Sequence, residues 1–130
     1  KSYLSTHFLA YQLDLSKREN GLFLRKNKIF VPSYENGIVC INDQTGKILW
    51  KLNKEFYPDT ELVFHKNVLF FGTIKRELIG INEKGEIVFK SNFEYGIGNP
   101  FIYNDEIYVN DGNGKLFRVK NTVANTVFKK

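Results

Sequence analysis

Apolar positions come in short bursts along this chain, and no burst keeps a helical period. Ile29-Phe30-Val31, Ile38-Val39-Cys40-Ile41, Val68-Leu69-Phe70-Phe71, Leu78-Ile79-Gly80-Ile81 and Ile107-Tyr108-Val109 are strand-sized and bounded by turn residues. Just before the first, third and fifth of these bursts lie Lys26-Asn27, Lys66-Asn67 and Asn104-Asp105. Asn and Asp accept positive φ at modest cost, so these pairs predict tight two-residue hairpin turns.

The bursts recur at a fixed distance. Tyr11, Trp50, Phe89 and Phe128 are spaced 39 residues apart, in the contexts Tyr11-Gln12-Leu13-Asp14, Trp50-Lys51-Leu52-Asn53 and Phe89-Lys90-Ser91-Asn92. A second column aligns Ile29-Phe30-Val31 with Leu69-Phe70-Phe71 and Ile107-Tyr108-Val109, and a third aligns Ile38–Asn42 with Leu78–Asn82 and Leu116–Lys120. Each unit then holds four short strands, in the first about Leu22–Arg25, Ile29–Pro32, Ile38–Asn42 and Lys47–Leu52, with equivalents starting near Leu62 and Phe101. Four strands in roughly 40 residues is the size of a β-propeller blade. The predicted fold is all-β: about three four-stranded antiparallel blades plus one extra N-terminal strand, an incomplete propeller. Residues 1–20 form the outer strand of a preceding blade and a linker, 21–60 and 61–98 form two blades, and 99–130 a degenerate third.

Composition narrows the class without changing this picture. The 130 residues are 42% hydrophobic and 25% charged, inside the globular range. No apolar stretch approaches the roughly 20 residues of a membrane span. The net charge of +5 comes from bases mixed with acids, as in Lys75-Arg76-Glu77, which fits solvated strand edges and not a nucleic-acid surface. The one cysteine, Cys40, forms no intrachain disulfide and sits in an apolar run as a small core residue.

Asn36-Gly37-Ile38-Val39-Cys40-Ile41-Asn42-Asp43-Gln44-Thr45-Gly46-Lys47-Ile48-Leu49-Trp50 resembles the PQQ-like propeller repeat, written G-x-L-Y-A-L-D-A-x-T-G-K-x-L-W. Cys40 takes the small Ala position, Asn42 the Asp position, and the tail with Thr45, Gly46 and Trp50 is intact. The second copy keeps Gly80 and Gly85 and puts Phe89 for Trp; the third has Arg118 at the small position and a turn over Asn121–Asn125 without glycine, ending at Phe128. The resemblance implies that the aromatic packs between neighbouring blades. It also implies a choice of functions: quinoprotein dehydrogenases, which bind pyrroloquinoline quinone and calcium, or the BamB-like group, which carries no cofactor.

Candidate chemistry is sparse. Asn110-Asp111-Gly112-Asn113-Gly114 offers oxygen ligands for a cation, yet it occupies the same place as Ser33–Gly37 and Gly72–Glu77, so a turn is the stronger reading. His7 and His65 have no metal-ligand spacing, and there is no nucleophile elbow or phosphate-cradling loop. Tyr34, Phe56, Tyr57 and Tyr95 fall in connections as candidate partner anchors, with packing between blades as the alternative. The expectation is a non-enzymatic scaffold for protein–protein interaction with no cofactor, BamB-like, in the periplasm or on the periplasmic face of the outer membrane. Its alternatives are a dehydrogenase fragment or a ligand-sensing propeller. Three blades do not close a ring, so the remaining blades of a longer chain, a homo-oligomer or another protein would have to cover the open edges.

Overall fold

The computed structural model describes residues 23–120 and the backbone of 123–129. The expected strand around His7–Asp14, with Tyr11, lies outside the described residues. No helix among the described residues is long and apolar enough to cross a membrane. The chain divides into two compact units, one ending at Tyr57 and one beginning at Pro58.

In the first unit β1 (Phe23–Arg25), β2 (Lys28–Ser33), β3 (Gly37–Asn42) and β4 (Ile48–Lys51) form an antiparallel sheet in sequential order. These bounds agree with the sequence expectation to within a residue or so at most ends. Pro32 sits inside β2 opposite Ile38. The alternation of side chains sorts the sheet into two faces: Ile29, Val31, Val39 and Ile41 on one, Phe30, Ile38, Cys40 and Trp50 on the other. Ile29, Ile38, Val39, Cys40 and Ile41 are completely buried.

The second unit holds two such sheets: β5 (Val63–His65), β6 (Val68–Gly72), β7 (Glu77–Ile81) and β8 (Ile87–Asn92), then β9 (Phe101–Tyr103), β10 (Glu106–Asn110), β11 (Lys115–Lys120) and β12 (Val123–Lys129). The expected two-residue turns form here, with both Lys66 and Asn67, and both Asn104 and Asp105, at positive φ. Between these two sheets lies a core of Phe70, Leu78 and Phe89 from one and Ile107 and Val109 from the other. Phe93 and Phe117 add an edge-on ring contact at 4.8 Å. Among the described residues three four-stranded meanders make this an all-β, incomplete propeller.

One register departs from the sequence expectation. Trp50 lies opposite Cys40 and Phe89 opposite Gly80, each beside a β-bulge, whereas Phe128 lies opposite Leu116. Instead of a turn over Asn121–Asn125, β12 already begins at Val123, paired with Lys120. A shorter connection lengthens the fourth strand and slides its aromatic column by two residues, one pleat repeat.

Candidate functional site

The repeat motif residues act first as turn and packing elements. In the β3–β4 turn the Asn42 carboxamide Oδ1 accepts hydrogen bonds from the amides of Gln44 (2.8 Å) and Thr45 (3.0 Å). Gly46 adopts φ 78°, a region that costs residues with a Cβ, and its amide donates to the Asn42 carbonyl. Thr45 Oγ1 accepts from the Lys47 amide at 3.2 Å. Asn82 and Gly85 repeat the device, with Asn82 Oδ1 accepting from the Lys84 and Glu86 amides. Replacing Asn42 by Ala leaves two backbone donors to solvent, and is expected to cost about 1 kcal/mol. Urea unfolding would show it as a lower midpoint with an unchanged slope.

The small residue of the third strand has a packing reason. Phe70 and Phe89 meet edge to face at 5.7 Å, and a Cβ on Gly80 would lie 2.9 Å from Phe89 Cβ. In the first sheet Cys40 stands at the same register between Phe30 and Trp50, whose rings are 6.0 Å apart. Cys40 is buried and forms no disulfide.

The β10–β11 loop is a turn held by its own acid. Asp111 is buried, and its Oδ1 accepts hydrogen bonds from the amides of Asn113 and Lys115, each 2.9 Å long. Ser33 and Thr73 fill the equivalent places, with Ser33 Oγ accepting from the Asn36 amide and Thr73 Oγ1 from the Lys75 amide. An oxygen that serves two amides inside its own loop is committed to structure.

Two further features of the surface have no role in turns or in the core. The first is a cleft of about 360 Å³ in the second unit, floored by Val68, Phe70, Ile107 and Val119. His65 and Asp105 stand at its rim, where His65 Nε2 lies 2.9 Å from the Asp105 carbonyl oxygen. A carbonyl only accepts, so Nε2 carries the proton in this contact. Lys66 Nζ adds an ion pair to Asp105 at 3.7 Å. The group ties two hairpin turns together, and sequence spacing alone does not reveal it, since 40 residues separate the partners. Among the described residues no three His, Cys, Asp or Glu side chains group as metal ligands. His7 lies outside the described residues.

The second is aromatic. Tyr34, at the tip of the β2–β3 turn, is 82% exposed, yet its ring stacks on Tyr57 at 4.5 Å and 19°. Tyr57 follows the 3₁₀ turn Lys54–Phe56, capped by Asn53 Oδ1 accepting from the Glu55 amide. Phe56 and Tyr57 are half-buried. Of the four aromatics expected as anchors, the structure brings Tyr34 and Tyr57 together; Tyr95 is 39% exposed in the β8–β9 connection of the second unit.

A family model described as "Outer membrane protein assembly factor BamB" matches residues 35–128. The chain belongs to this family. BamB from Moraxella catarrhalis superposes with a TM-score of 0.70 at 14% identity, over 85% of this chain and 34% of that one. The computationally designed Ika4 protein gives 0.67 at 14% identity, over 84% of this chain and 69% of that one. A quinohemoprotein alcohol dehydrogenase from Pseudomonas putida HK5 gives 0.64 at 11%, over 83% and 19%. The chain thus spans about a third of the Moraxella BamB, and at these identities the likeness is one of fold. A search of curated protein sequences finds no match.

Proposed function

We propose that this BamB-family chain is a non-catalytic propeller module that binds other proteins at the bacterial cell envelope, in the assembly of outer membrane proteins. The observation that carries this is the Tyr34–Tyr57 stack: a large aromatic presented on a loop tip and held in one orientation by a second ring. Ordering it beforehand lowers the entropy cost of binding, and Tyr is enriched at interface hot spots. The family description supplies the process. The acid and imidazole that catalysis would want free, Asp111 and His65, are engaged by backbone groups.

The test is a Tyr34→Ala substitution in the intact protein in its own cell, read as the level of folded outer membrane proteins and as affinity for the assembly machinery. The expected result is a loss of about thirtyfold in affinity, that of a hot spot worth about 2 kcal/mol, with the unfolding midpoint nearly unchanged. Unchanged affinity and unchanged outer membrane proteins would remove the proposal.

Dehydrogenases among the structural neighbours favour one competing reading, catalysis with pyrroloquinoline quinone. Calcium-dependent dye reduction by the intact protein, with quinone absorbance, would establish it instead.

A further inference from the structure

The two sheets of the second unit close against each other at their centre and part at one end. Phe70, Leu78 and Phe89 of the β5–β8 sheet pack on Ile107 and Val109 of the β9–β12 sheet. Toward the β5–β6 and β9–β10 turns this contact opens into the cleft of about 360 Å³, floored by Val68, Phe70, Ile107 and Val119. That volume lies at the small end of ligand pockets, which run from about 300 to 1,000 Å³. It admits one ring with a short tail.

The walls of the cleft are set before anything enters it. His65 stands opposite Val68 and faces the same way, its side chain 13% exposed. Its Nε2–H donates to the Asp105 carbonyl at 2.9 Å and so joins the turn of one sheet to the turn of the other. Both turns are held by residues at positive φ, Lys66 and Asn67 in one, Asn104 and Asp105 in the other. A rim fixed in this way has little freedom left to lose on binding.

Charge decides what fits. Besides His65, the ionisable residues of the lining are Lys66, Lys120, Asp105 and Glu106. Glu106 precedes Ile107 in β10, so its side chain leaves on the opposite face, where Oε1 lies 3.3 Å from Arg118 Nε. Asp105 is met by His65, 3.4 Å from Oδ1, and by Lys66, 3.7 Å from Oδ2. Lys120 is exposed at the end of β11, and it is the rim cation that no carboxylate of the described residues offsets. An apolar floor beneath an unmatched ammonium calls for the reverse arrangement in a ligand, an apolar body with one negative charge. A cation of the same shape would be repelled. Phe70 and His65 put two rings into the lining, which suits a flat aromatic body.

We infer that this cleft is a binding site for a small aromatic monocarboxylate, with its ring on Val68, Phe70, Ile107 and Val119 and its carboxylate at the Lys120 ammonium. Such a ligand touches both sheets and stabilises their contact, because it binds the folded state alone. The site draws on nothing in the Tyr34–Tyr57 surface, so it stands whether or not that surface binds protein.

The probe is phenylacetate, titrated into the intact protein while methyl and amide resonances are followed by NMR. The expected result is saturable binding with a dissociation constant of about 1 mM, ordinary for a ligand of about ten non-hydrogen atoms. The methyl shifts should centre on Val68, Ile107 and Val119. Phenylacetamide, which keeps the ring without the charge, should bind about fivefold more weakly, the upper part of the range for a charge pair at a surface. Acetate, which keeps the charge without the ring, should show no saturation. Lys120→Gln should weaken phenylacetate about fivefold and leave phenylacetamide unaltered, with an amide spectrum otherwise like that of the parent. No saturation by phenylacetate, or shifts centred elsewhere, overturns the site. Equal affinity for phenylacetamide, an undiminished affinity in Lys120→Gln, or acetate binding as well as phenylacetate overturns the assignment of an aromatic carboxylate.

Discussion

A Gly80→Val protein is expected to lose about 3 kcal/mol of stability, the upper part of the range for overpacking a core. The cause is local and three-sided. A Cβ at this position would stand 2.9 Å from Phe89 Cβ, 3.0 Å from Val68 Cγ1 and 3.1 Å from Phe70 Cε1. Phe89 is held opposite Gly80 by the strand register, so its Cβ cannot retreat without moving β8. Valine adds two methyl groups beyond that atom, on a face already closed by Ile107 and Val109. Urea unfolding of the single variant measures the loss. A loss below about 1 kcal/mol would mean that the two sheets separate more easily than their contact implies.

Phe71→Ala should be costlier, about 3–5 kcal/mol, since the ring is completely buried and its removal leaves a cavity in a close-packed sheet face. Domains of ordinary stability hold only about 5–15 kcal/mol in total, so this variant is expected to accumulate poorly in cells. Phe71→Leu restores most of the volume and should cost under about 1.5 kcal/mol. Chemical denaturation of both variants gives the ratio. Equal losses for Leu and Ala would show that ring shape, and not buried volume, decides the site.

Much of the architecture was legible because buried strands write themselves into sequence as short apolar runs punctuated by turn residues. The unbroken runs Ile38–Ile41 and Leu78–Ile81 mark strands buried on both faces, and Lys66-Asn67 and Asn104-Asp105 tolerate the positive φ their turns take. The reading slipped in the third repeat. There the spacing of Phe128 keeps the period, but the connection after Lys120 is shorter than the motif's turn, and spacing counted along the chain does not register how a hairpin slides.

The candidate site was less legible. Tyr34 and Tyr57 stood out only as aromatics in connections; they are 23 positions apart in the chain, and the fold between them brings their rings together. His65 and Asp105 carry no motif at all, because a backbone carbonyl supplies the key acceptor and any residue could provide it.

By itself, then, the sequence determined the strand count of each unit, the turn chemistry of Asn42-Gly46 and Asn82-Gly85, and the repeat that makes this a propeller chain. Those properties depend on neighbours within a few residues and on short hydrogen bonds that side-chain type dictates. Only the tertiary structure decided why Gly80 is glycine, that Asp111 is spent on its own turn, and that His65 meets Asp105 at the rim of a cleft. Each of these depends on which surface packs against which, and packing is a property of residues far apart in the chain brought within van der Waals reach.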